Sequence, residues 1–198
     1  MNNSDTCHHV SLPVYDEDGE FKLNEELDCL KLEGGIFRLV HSPGLVEGLA
    51  AGDEFSLCKA KPGYKVVRRG GNLCLWFFTK LATIERDRER AAPELVKDVE
   101  RLGGYLDGGT RRSLIFTIPI SAGFESVEGA FEAAKARHPG SIWSYGNVYD
   151  PIDGVTPLNW WLPPSTQPFQ GRSPRAPASR RAVETCGSSL VPVQPLGT

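Results

Sequence analysis

Between residues 8 and 79 apolar and polar positions alternate with period two in short runs, and turn residues punctuate them. This pattern predicts strands at residues 9–15, 27–32, 36–41, 54–59, 64–69 and 72–79. Turns fall at 16–19, 34–35, 43–44, 52–53, 62–63 and 70–71, and residues 45–50 read as a single helical turn. Strands this short, joined this tightly, suggest a small β-barrel-like lobe over residues 8–71. The run LCLWFF that follows is apolar on both faces. One face carries Leu73, Leu75 and Phe77, the other Cys74, Trp76 and Phe78, so both must be covered.

After residue 79 the period changes to that of a helix. Pro93 suits a first helical position, Leu95, Val96, Val99 and Leu102 form one stripe, and Gly103 with Gly104 ends it. Residues 105–107 and 113–120 flank the turn GGTRR as a hairpin. A second helix is predicted with Ser126 as its cap and with Val127, Ala130, Phe131 and Ala134 on one side. Residues 142–145 make a last strand before a turn at Asp150 and Pro151. Strand, helix, strand, strand, helix, strand is the split-βαβ order, so the expected class is α+β. A β-barrel-like lobe packs on a ferredoxin-like lobe (72–162), and a tail (163–198) follows. The tail, rich in Pro, Ser, Gly and Arg, has too little apolar surface to offset its ordering entropy and is expected to be disordered.

Charge changes the picture only modestly. The chain carries a formal −3, but residues 165–198 hold Arg172, Arg175, Arg180 and Arg181 against Glu184, or +3, leaving −6 on the rest. An acidic body argues against nucleic acid as a partner. There is no apolar run long enough to span a bilayer and no charged-then-apolar leader, so neither membrane nor export is expected and the cytoplasm is the default. Five cysteines without a Cys-x-x-Cys pair fit reduced thiols.

The stretches GLAAGDEF (48–55), YKVVRRGGN (64–72) and ERLGGYLDGGT (100–110) together resemble a bacterial family, domain of unknown function 4265. The resemblance spans roughly residues 8–150 and implies no catalytic residue. Such domains are commonly small accessory or immunity-type proteins, which favours a binding role. The tail and the aromatic NWWLPP (159–164) depart from the pattern.

Candidate chemistry is sparse. Arg68-Arg69-Gly70-Gly71 offers guanidinium forks and backbone N–H groups to an anion, without the lysine and Ser/Thr of a phosphate loop. The favoured reading is a hairpin end, its glycines supplying positive φ and its arginines kept solvated at the rim. Arg111 and Arg112 in GGTRR pose the same choice. Asp53 is expected to bond its own turn, and the acidic groups of 16–20 and 25–28 to be solvated. Cys7, His8 and His9 are too crowded and isolated for a metal site, and His41 and His138 stand alone beside loops. No hydrolase or metalloprotease motif is present. Trp160 and Trp161 either seal the sheet edge or anchor a partner.

The expectation is therefore a non-catalytic protein-binding protein without cofactors, an immunity-type or regulatory partner that occludes a site on another bacterial protein such as a toxin or effector. Arg68, Arg69, Arg111, Arg112, Trp160 and Trp161 are its candidate binding residues, and its oligomeric state is left open. The alternative is a sensor holding an anionic metabolite between the lobes, and an enzyme ranks third.

Overall fold

The structure is a computed structural model that describes residues 6–16, 18–79, 92–109 and 113–163. The expected tail beyond residue 163, Arg111 and Arg112 lie outside the described residues. Two antiparallel sheets account for the strands. The N-terminal sheet is built from β1 (Cys7–Tyr15), β2 (Phe21–Lys31), β3 (Ile36–Leu39), β4 (Glu54–Leu57) and β5 (Tyr64–Arg68), in sequence order. This corrects the barrel-like expectation: β1 and β5 are opposite edges, and no closed barrel forms. The physical reason lies in the strand lengths. A nine- and an eleven-residue strand lead into three strands of four or five, too uneven to close on one another. Instead the apolar face is capped by the segment 40–53, whose Val46 and Leu49 pack with Val10, Leu12, Leu27, Leu39 and Phe55.

The C-terminal sheet contains β6 (Asn72–Phe78), β7 (Tyr105–Gly109), β8 (Ser113–Pro119) and β9 (Ile142–Tyr145), in the order β7-β8-β6-β9 with every neighbour antiparallel. α1 (Pro93–Arg101) connects toward β7, and α2 (Phe124–Arg137) joins β8 to β9. Leu95 and Val99 are buried one turn apart on α1, as are Val127, Phe131 and Ala134 along α2. They close over Leu73, Leu75, Phe77 and Phe116. Each fully buried Phe contributes roughly 1.5–3 kcal/mol relative to exposure. α2 starts two residues before Ser126, with Gly123 at its cap and no side-chain cap bond.

The other face of β6 is covered as its double-sided pattern requires. Cys74, Trp76 and Ile115 pack with Ala50, so the covering layer is the 40–53 segment rather than a strand. That segment turns without forming the expected helix at 45–50, because its backbone groups find partners outside it. Gly48 N–H donates to the carbonyl of Gly146, the Trp76 indole to that of Pro43 at 2.7 Å, and the Asn72 amide to that of Ala51. Gly44, Leu45 and Val46 N–H groups all donate to the Glu25 carboxylate at 2.7–3.0 Å. β2 also runs from Phe21, earlier than the predicted start at 27, because its first residues pair with β1 across the turn.

The basic turn is where the chain changes sheets. β5 pairs with β4 while β6 pairs with β8 and β9, so Gly70-Gly71 does not close a hairpin. Gly71 needs its glycine for φ of 81°, and Gly70 needs its own for space. A Cβ on Gly70 would lie 2.4 Å from the carbonyl carbon of Gly52. Trp76, 7% exposed, packs with Ala50, Cys74 and Ile115. Trp76→Ala should destabilise by about 3–5 kcal/mol in a denaturant melt, whereas a near-neutral result would contradict its placement between the two sheets.

Candidate functional site

Of the predicted site residues, Arg69 occupies the most constrained place. Its Nη1 donates to Oδ2 of Asp53 at 2.8 Å and to the carbonyl of Gly48 at 2.7 Å, and its guanidinium lies over the Trp160 ring at 5.5 Å. The Asp53 side chain is 1% exposed and that of Arg69 19%. Asp53 also accepts from Gly70 N–H at 2.7 Å and Ala50 N–H at 3.1 Å. Burial raises the Asp53 carboxyl above its ordinary pKa, and Arg69 with the two amides opposes that shift. The rim placement expected for Arg69 is thus overturned. It is the counter-ion of a buried carboxylate.

Arg68 is more exposed, yet it too is engaged. Its fork meets Glu54, which Arg38 also grips through Nε and Nη2 at 3.1 and 2.8 Å. Hydrogen bonds from Arg68 and then Arg38 pull the Glu54 carboxyl down to about 2. Neither arginine offers an open fork to an anion. Trp160 and Trp161 pack against the helix-covered core, which favours their sealing role. The Trp160 indole donates to the carbonyl of Asn147 at 2.9 Å, and Trp161 stacks edge-on against Phe124 at 5.1 Å.

A second polar cluster ties residues 41–42 to the C-terminal sheet. His41 Nδ1 meets Asp107 at 3.2 Å, Thr117 donates to the other Asp107 oxygen, and the Thr117 and Ser42 hydroxyls are 2.5 Å apart. Ser42 also accepts from Ala51 N–H. A histidine backed by a buried carboxylate can act as a base. Here the His41–Asp107 and Ser42–Thr117 contacts join one loop to one sheet, and the other two bonds hold the sheet and the loop in place around them, which is the work of a brace. Burial pushes the Cys29 thiol up to about 12 and that of Cys74 up as well, so neither is a ready nucleophile. Among the described residues no group of His, Cys, Asp and Glu is placed to hold a metal. No described helix is long and apolar enough to cross a membrane.

A concavity lies elsewhere, in a groove of about 650 Å³ between the β1–β2 turn, residues 45–47, Pro62 and the loop 151–154. Its apolar walls include Val14, Leu45, Val46, Pro62 and Ile152, and its charges are Asp16, Asp18, Glu47, Asp153 and Lys22. Leu45 and Ile152 are 45% and 68% exposed. Both stand on loops fixed by hydrogen bonds. Glu25 holds residues 44–46, Asp150 accepts from Ile152 N–H, and Asp153 accepts from Val155 and Thr156. Sequence reading missed this groove, because four separate segments build it and none carries a motif.

The model of the family described as Domain of unknown function (DUF4265) matches residues 25–140. The chain belongs to this family. The DUF4265 match runs from within β2 to just past α2, so it holds the Asp53–Arg69 pair and leaves out the 151–154 side of the groove. A solved structure, "Novel crystal structure of a hypothetical protein from Neisseria gonorrhoeae", is similar in fold with a TM-score of 0.55. It is 12% identical to this DUF4265 member, and the match covers 71% of this chain and 94% of that one. No curated protein sequence matches.

Two measurements check this electrostatic picture. Arg69→Met strands a buried carboxylate and should cost on the order of 3–5 kcal/mol, whereas Arg68→Ala should cost under about 1 kcal/mol in the same melts. Equal effects would contradict the assignment. Because the folded Glu54 pKa lies below its unfolded value, its contribution is present above pH 4.5 and is lost as pH falls toward 2. Glu54→Gln should therefore flatten the acid limb of a stability–pH profile, and an unchanged slope would contradict the shift.

Proposed function

We propose that this DUF4265 protein is a non-catalytic, cytoplasmic protein-binding protein, an immunity-type or regulatory partner that occludes a site on another bacterial protein. One observation carries the reading. The groove combines exposed aliphatic residues with loops locked by hydrogen bonds, and an exposed apolar surface held rigid in advance loses little entropy on binding. The free thiols of Cys7, Cys29, Cys58 and Cys74 support the cytoplasmic placement. The order β7-β8-β6-β9 supports reading the C-terminal lobe as a ferredoxin-like, split-βαβ unit. It serves as a scaffold here, not as an activity.

The anionic-metabolite sensor ranks lower than it does from sequence. Glu54 engages Arg68 together with Arg38, and Asp53 pairs with Arg69, so the described half of its basic residues is already engaged. The test is affinity purification from the native host with wild-type protein and Leu45→Asp/Ile152→Asp, followed by mass spectrometry of proteins and small molecules. The reading expects one protein recovered in stoichiometric amount by wild type, lost with the variant, and inhibited when mixed with wild type. A retained phosphorylated metabolite with no protein would contradict it.

A further inference from the structure

The charges around the groove are unbalanced. Asp16, Asp18, Glu47 and Asp153 outnumber two lysines: Lys22, which is 2.7 Å from Asp16, and Lys61 at the rim, whose ammonium lies over the Tyr15 ring and donates to the Gly19 carbonyl. Among the described residues no Lys or Arg pairs with Asp18, Glu47 or Asp153. Three acids thus remain beside the apolar walls of Leu45, Val46, Pro62 and Ile152. We propose that the groove takes a short cationic segment of the partner protein, in which lysine or arginine is interspersed with aliphatic residues or proline. This rests on the reading of the groove as the partner-binding surface.

The two halves of that chemistry answer two features of the site. The aliphatic or prolyl side chains replace water against the apolar walls, and the cations meet Asp18, Glu47 and Asp153 at the rim. Such rim charges set orientation and association rate more than they set affinity. Asp153 is held below its ordinary pKa by Thr156 and stays ionised at neutral pH. Partial burial raises the Glu47 carboxyl, a cost that a bound cation offsets.

The experiment titrates short synthetic peptides into the intact protein and follows backbone amide resonances. One probe combines lysine with valine, leucine and proline. A second replaces its lysines by glutamates, a third replaces its aliphatic residues by serine, and spermidine serves as a small cation. The first probe should shift the amides of Val14, Leu45, Val46 and Ile152 at millimolar concentration or below and bind more tightly than the other three. Asp18→Asn/Glu47→Gln, at two exposed positions, should weaken it about five-fold with an unchanged melting temperature. The proposal is overturned if the glutamate peptide, the serine peptide or spermidine binds as tightly, or if no peptide moves these resonances. In the last case a partner still released by Leu45→Asp/Ile152→Asp would leave the groove reading standing and sink only its chemistry. A partner retained by that variant sinks both.

Discussion

The carboxylate of Asp53 accepts from Ala50 N–H, Gly70 N–H and Arg69 at the point where the chain leaves one sheet for the other. The constraint behind this is one of coverage. The N-terminal sheet has an apolar face that no closed barrel protects, and β6 is apolar on both of its faces. One irregular segment, 40–53, covers the N-terminal sheet's apolar face and the face of β6 that the helices leave open. An irregular buried segment has no ladder to satisfy its backbone, so each polar group needs a specific partner. Asp53, Glu25, Ser42 and Asn72 are among those partners. A buried carboxylate is itself costly unless it is paired, and Arg69 supplies the pairing. Once that pair is made, the close approach of Gly70 to Gly52 follows, and the two sheets share one compact unit.

The same arrangement generates the groove. Residues 45–47 of the covering segment form one wall, and Glu25 holds the N–H groups of residues 44–46. Rigid loops with exposed aliphatic tips are an expensive thing to keep in water unless something else covers them, which is why the groove, and not the arginine turn, carries the functional reading. The arginines hold the scaffold that presents it.

Much of this architecture is legible in the sequence. The two periodicities identify the strands and both helices, and the double-sided LCLWFF correctly demands cover on each face. The errors share a cause. Gly70-Gly71 carries a local turn signal, and local signals say that the chain bends without saying which strand it then joins. Arg69 looks solvated because its counter-ion is sixteen positions upstream, in a stretch that reads as a simple turn. A clue was present in GLAAGDEF. Five small or apolar residues without strand or helix period, leading into an acid, describe a buried loop that needs a charge partner. The groove had no comparable clue, since its acids and aliphatics come from segments far apart in the chain.

The Asp53 cluster opens only when the whole fold opens, and native-state hydrogen exchange of the wild-type protein can show this. The amides of Ala50 and Gly70, which donate to Asp53, should exchange with the same opening free energy as the amides of β8, to within about 1 kcal/mol. Exchange of Ala50 and Gly70 through a much cheaper local opening, with β8 still protected, would contradict the account. It would make the covering segment an accessory loop rather than the layer that joins the sheets.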